Sequence, residues 1–202
     1  MNSRMPFRRI SRYAPLVLAL LAGPLSAQSA RPLSVQASYL RIVLRGESLG
    51  DVAAANGFEG QLRYTRGRWS LGGGMEYSRH GIDGQPTGYG LRRFGPFLEP
   101  RLLVPWSSNT LAAYVAGRLS VVQVTALVPD SVTTLSAGSA TGTTINIGGG
   151  LLIRLSPRLN FDVGTSAGFS SFGSVTFPSG TTGGSLGTGT NVILRVGFGL
   201  GL

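Results

Sequence analysis

From about position 34 onward, apolar and polar residues alternate with a period of two, the spacing of a strand with one apolar face. The closing stretch shows it most strictly. Val192, Leu194, Val196, Phe198, Leu200 and Leu202 share one parity, and Arg195, Gly197, Gly199 and Gly201 share the other. The same rhythm divides residues 57–66 into Phe58, Leu62 and Tyr64 against Glu59, Gln61, Arg63 and Thr65. In residues 69–78 it sets Trp69, Leu71, Met75 and Tyr77 against Ser70, Gly72, Gly74, Glu76 and Ser78. Four further runs, 92–104, 111–124, 144–155 and 159–169, keep the pattern, with Glu99, Arg101, Arg118, Arg154 and Asp162 on their polar sides. The run 34–44 carries Leu40, Ile42 and Leu44 on one parity but Val35, Ala37 and Tyr39 on the other, so its register stays open. That makes eight predicted strands. The fourth contains Pro96 and Pro100, which cannot donate to a ladder and demote it to an edge or a bulged strand.

The connections alternate long and short. Residues 45–57, 79–91, 129–142 and 170–189 are long and rich in Gly, Ser and Thr; residues 66–68, 105–110 and 156–158 are short. Tight turns at one end and long loops at the other are the habit of an even-stranded antiparallel barrel that crosses a membrane. A water-soluble barrel would turn its apolar parity inward. Here the glycines and the charges of both signs share a parity, which suits a narrow interior, and no helix or second sheet remains to cover the apolar one. The prediction is an all-β, closed antiparallel eight-stranded transmembrane barrel with its apolar parity on lipid. Trp69, Tyr77, Trp106 and Phe169 near strand ends are candidates for interfacial girdles.

Composition agrees with a membrane partner. Mean hydropathy is positive at +0.19, charged residues make up only 13%, and yet no apolar run reaches the roughly 20 residues of a spanning helix. Residues 1–27 read as a secretory signal peptide: Arg4, Arg8, Arg9 and Arg12, then a short apolar core from Leu16 to Ala22, then small residues near Ala27. The expected division is a leader over 1–27, exported by the Sec route, and a barrel domain over 28–202. The formal charge of +10 does not argue for nucleic acid, because four of the 18 basic residues, all arginine, lie in the leader and the rest are scattered singly or in pairs. Cysteine is absent, so no disulfide framework or thiolate metal site is available.

Little in the sequence speaks of catalysis. Gly164 to Gly168 matches G-x-S-x-G around Ser166, but the motif needs a strand, a turn and a helix, and Ser166 falls in mid-strand on the polar parity. His80, the single histidine, would be the base of any Ser-His site, with Ser78 and Asp83 close in sequence. One histidine with scattered carboxylates does not make a metal cluster. No catalytic, cofactor or metal site is therefore assigned. The constellation that remains is a lumen network of Glu59, Arg63, Glu76, Glu99, Arg101, Arg118, Arg154, Asp162 and Arg195. Eight strands leave an interior that side chains fill, so these groups are expected to form an ion-paired plug in preference to a conducting pore.

The strand pattern and the closing segment resemble the small eight-stranded outer-membrane β-barrel proteins, the OmpA-like transmembrane domain and OmpX-like group. The resemblance covers the chain after its leader. It implies an outer-membrane location, lipid as a partner, periplasmic chaperones, and a barrel-insertion machinery that reads Phe198, Leu200 and Leu202 as an assembly signal. Members usually end in an aromatic residue, whereas this chain ends in Leu202 with Phe198 further in. A monomer with a structural or surface-interaction role through its long loops is expected. The alternatives are a narrow porin-like channel lined by the arginines and an outer-membrane lipid-modifying enzyme using His80.

Overall fold

A computed structural model describes residues 31–46, 52–85, 89–105, 110–127 and 138–202. The proposed leader and Trp106 lie outside the described residues. Eight strands follow one another: β1 (Leu33–Gly46), β2 (Ala55–Arg66), β3 (Trp69–Gly81), β4 (Gly90–Pro105), β5 (Leu111–Leu127), β6 (Ser139–Arg154), β7 (Leu159–Thr176) and β8 (Thr182–Gly201). Each pairs antiparallel with its neighbours in sequence, and β8 returns to β1 through thirteen paired positions, so the sheet is a closed barrel.

Period-two alternation decides which side chains enter the barrel. On β2 the inward set is Gly57, Glu59, Gln61 and Arg63, and the outward set is Phe58, Leu62 and Tyr64. On β8, Val192 through Leu202 face out on one parity while Asn191, Ile193 and Arg195 are buried inside. β1 resolves its open register in an instructive way. Val35 and Tyr39 face out, and Leu40, Ile42 and Leu44 are buried inside, so the parity never changes although the apolar residues switch faces.

Close approach explains several lumen glycines. A Cβ on Gly72 would run into the Arg63 guanidinium and the Gln61 amide, and one on Gly164 would strike the Tyr114 hydroxyl. The tight β2–β3 turn has Gly67 at φ 59°, a conformation that glycine adopts without a Cβ clash. In the β6–β7 turn the Ser156 hydroxyl accepts a hydrogen bond from the Leu159 amide at 3.0 Å.

Two expectations need correction. β4 is a full member of the barrel, not an edge: Pro96 and Pro100 face outward opposite Met75 and Leu71 of β3, and the ladder is interrupted at Gly95–Pro96 and Glu99–Pro100 on the β5 side alone. The missing N–H groups therefore break a few rungs without opening the ring. The stretch 170–189 is likewise no loop. It is the upper part of the β7–β8 hairpin, closed by a short turn in which Phe177 N bonds Thr181 O at 3.0 Å and Gly180 N bonds Phe177 O at 2.9 Å. Its Gly, Ser and Thr residues lack the apolar parity by which a strand is recognised, and pairing with the neighbouring strand holds them extended.

Candidate functional site

The middle of the lumen is filled by charge. Glu99, on β4, sits at the hub and is 2% exposed. Its Oε1 accepts from Arg63 Nη2 at 2.8 Å and Arg101 Nε at 2.7 Å. Its Oε2 accepts from Arg118 Nε at 2.8 Å and Arg195 Nη1 at 2.7 Å. Four guanidiniums from β2, β4, β5 and β8 thus converge on one carboxylate across the barrel.

Three further acids tie the outer members together. Glu59 takes Arg118 Nη2 at 2.6 Å, and Glu76 takes Arg118 Nη1 at 3.1 Å and Arg93 Nη2 at 2.7 Å. Asp162 takes Arg101 Nη1 at 2.8 Å and the Tyr114 hydroxyl at 2.7 Å, and it also accepts from the Gln36 amide. Arg195 Nη2 donates to the Tyr114 oxygen at 2.8 Å, which links the Asp162 and Glu99 sides. Aromatic faces supply what carboxylates do not: Arg118 lies 4.0 Å from the Phe97 centroid and Arg101 4.2 Å from that of Tyr114. Five guanidiniums against four carboxylates leave the cluster one positive charge in excess.

Apolar side chains close both ends. Toward the long loops lie Leu40, Ile42, Leu44, Ala55 and Ile193, and beside them Val122, Val124 and Phe172. Toward the short turns lie Leu103, Ala116 and Leu152 with Tyr114. A cavity of about 30 Å³ is lined there by Gln36, Arg63, Arg101 and Asp162 among others. That is space for about one or two waters. Chemically the arrangement can brace and occlude: every charge is held by partners on other strands, so ions meet a filled cross-section.

The residues read from the sequence fall in three groups. Glu59, Arg63, Glu76, Glu99, Arg101, Arg118, Asp162 and Arg195 meet in this cluster. Arg154 ends β6 at the short-turn side, half-buried, its amide bonded to Thr110 O at 2.7 Å. Phe198, Leu200 and Leu202 are exposed on the outer side of the seam, and Phe198 packs against Phe161 with ring centroids 5.1 Å apart. Arg93 is the member that the sequence set omits. The sequence places it on the polar parity with Glu99 and Arg101, and the structure puts it inside with them, whereas its neighbour Arg92 faces out.

His80 is 1% exposed on β3. Its Nε2 lies 3.3 Å from Ser78 Oγ and its Nδ1 3.1 Å from Ala53 O, so both ring nitrogens face neutral partners and, among the described residues, no carboxylate orients the ring. Ser166 stands in mid-strand on β7, opposite Gly148 and Ile193, and the strand runs on without the turn and helix of a nucleophile elbow. No group of three or more potential metal ligands occurs among the described residues.

No protein-family model and no curated protein sequence matches the chain. Solved structures do resemble it. Neisserial surface protein A aligns over 85% of this chain and 97% of its own, with a TM-score of 0.62 at 15% identity. The Pseudomonas aeruginosa outer membrane protein OprG aligns over 87% and 98%, with a TM-score of 0.49 at 13% identity. The N-terminal β-barrel domain of Pseudomonas aeruginosa OprF aligns over 83% and 97%, with a TM-score of 0.46 at 15% identity. With its eight strands, its closure through β1 and β8, and the likeness to the Neisserial protein, the chain has the fold of the small eight-stranded outer-membrane β-barrels.

Proposed function

We propose that this chain is an integral outer-membrane protein, exported by its leader, whose sealed barrel serves a structural or surface-interaction role through the loops at its long-loop end. One observation carries the reading: a continuous apolar outer surface surrounds an ion-paired interior. Leu62, Leu98, Leu119, Ile147, Val163 and Leu194, on six different strands, all face outward and are exposed. Water would penalise that surface, and hydrocarbon covers it without loss. Closure pairs the strand edges, as a sheet in lipid requires, and every strand has at least twelve residues where about 9–11 suffice to cross.

The filled lumen favours a brace over a channel. Lipid, periplasmic chaperones and the barrel-insertion machinery are the partners of this reading, with Phe198, Leu200 and Leu202 on the exposed side of β8 as the segment that the machinery recognises. The chain acts as a monomer and takes no part in nucleic-acid binding.

The test is an electrophoretic comparison of unheated and boiled protein after refolding in detergent, with conductance measured in planar bilayers. A compact band that shifts on boiling, with no conductance steps, is expected. A monomer that folds in plain buffer and shows no shift rejects the membrane reading, and discrete steps that change in an Arg118→Ala variant replace the brace with a channel. In liposomes carrying the insertion machinery, Phe198→Ala is expected to slow assembly while leaving unassisted refolding in detergent unchanged; equal assisted rates remove the recognition role.

A further inference from the structure

The outward face at the long-loop end carries a second constellation, built from cross-strand pairs. Arg41 of β1 is paired with Asn56 of β2, Asn56 with Arg79 of β3, and Arg79 with Arg92 of β4. One step toward the short turns runs a parallel row, Tyr39, Phe58, Tyr77 and Phe94, all exposed. Because barrel strands tilt, such rows climb along the barrel wall, so Arg79 and Arg92 stand nearer the long-loop end than Arg41.

Arg41 is occupied: its Nη1 donates to Asn56 Oδ1 at 2.7 Å, and the Tyr39 hydroxyl donates to the same oxygen at 2.6 Å. Arg79 and Arg92 differ. They are directly opposed on adjacent strands, which brings like charges to within about 5 Å at Cβ and is destabilising unless something neutralises them. Among the described residues no carboxylate pairs with either, and Glu59, Glu76, Glu99 and Asp162, the acids carried by the strands, all point inward. Arg92 lines a groove of about 290 Å³ on the outer wall together with Tyr77, Phe94, Gln123 and Thr125, and Arg79 stands opposite it on β3.

We propose that Arg79 and Arg92 bind the phosphate of an anionic lipid headgroup, seated in this groove at the edge of the apolar band. The proposal rests on the membrane reading above. A guanidinium fork matches phosphate oxygens two at a time, and two forks side by side can hold one phosphate between them. Gln123 and Thr125 offer hydrogen bonds to the remaining polar part of the headgroup. Tyr77 and Phe94 line the apolar side, and Met75, Leu71 and Leu98 continue it along the wall where acyl chains would lie. A free phosphate would meet the arginines and gain nothing from that apolar side, so the lipid is the better ligand.

The full chain, folded in uncharged dodecyl maltoside, is titrated with phosphatidic acid, with diacylglycerol of the same acyl chains, and with inorganic phosphate, and bound molecules are counted by native mass spectrometry. Phosphatidic acid is expected to bind at one site, about tenfold or more tighter than diacylglycerol, with inorganic phosphate unable to displace it at equal concentration. Arg79→Gln/Arg92→Gln should lose that preference, while Arg158→Gln, at the short-turn end, should keep it. Equal binding by the double variant, equal binding of diacylglycerol, or displacement by inorganic phosphate overturns the proposal. Each variant is first checked for the heat-shifted band; should the double variant fail to fold, Arg92→Gln alone is read by the same criteria. A parent chain that shows no heat shift sinks the membrane reading itself, whereas one that shifts and ignores phosphatidic acid sinks this site alone.

Discussion

Two regions of one barrel obey opposite rules. Around the charge cluster the interior is ionic and the exterior apolar: Glu59, Glu99, Arg118 and Arg195 lie inside, and Phe58, Leu98, Leu119 and Val196 lie outside. Toward the long loops the arrangement inverts. Leu44, Val122, Val124 and Phe172 are buried inside, while Arg45, Gln123, Thr141 and Ser171 face out. Both regions share the same strands and the same parity, so nothing in the backbone distinguishes them. On the membrane reading proposed above, the difference lies in the medium around them: lipid would cover the first and water the second, which must then hide its apolar groups inside as any soluble barrel does.

The comparison is most easily broken at the hub. Glu99→Gln leaves four guanidiniums facing a neutral amide in a closed space, and the expected loss is roughly 3–5 kcal/mol of folding stability, read from urea titrations in detergent or liposomes. A loss below about 1 kcal/mol would mean that water and the other acids already neutralise the cluster, and the ionic interior would then be incidental.

An arginine placed on the outer wall sharpens the contrast. Leu119→Arg, in the apolar band, should lose about 2–4 kcal/mol, and Thr141→Arg, on the wall nearer the long loops, about 0–1 kcal/mol. Equal effects at the two positions would show that no boundary separates them. A modest effect is expected in the apolar lumen. Ile42→Val deletes one buried methylene and should cost about 0.5–1.5 kcal/mol, with the heat-shifted form retained. No effect there would show that the upper interior is loosely filled.

The same inversion explains what was legible in the sequence. β2 and β3 read clearly because the residues quoted from them lie mostly within one environment, and their alternation has one meaning from Tyr64 to Phe58 and from Trp69 to Tyr77. β1 could not be read because it crosses the boundary: its exposed outward apolar residues run from Leu33 to Tyr39, with only the half-buried Val43 beyond them, and its inward ones begin at Leu40. The upper β7–β8 hairpin looked like a loop for a related reason. Beyond the apolar band a strand needs no greasy outer face, and Ser170, Ser171 and Thr188 hold their extended shape through the ladder. Arg93 stands on the polar parity of its run with Glu99 and Arg101, and that parity, opposite to Arg92, was sufficient to add it to the lumen set that omits it. The partner choices within the cluster, such as Tyr114 bridging Asp162 and Arg195, depend on distances across the lumen that no spacing along the chain encodes.

The seam between β1 and β8 sets a clock for assembly. Seven ladders join strands adjacent in sequence and can form as hairpins, but the eighth pairs Ser34 with Gly201 and closes the ring across nearly the whole described barrel. A contact that spans so much chain is slow to find, and until it forms the edges of β1 and β8 remain open to foreign strands. The hazard for a nascent molecule is therefore the lifetime of the open ring, and whatever shortens that interval protects the chain from aggregation more than any gain in the strength of the finished barrel.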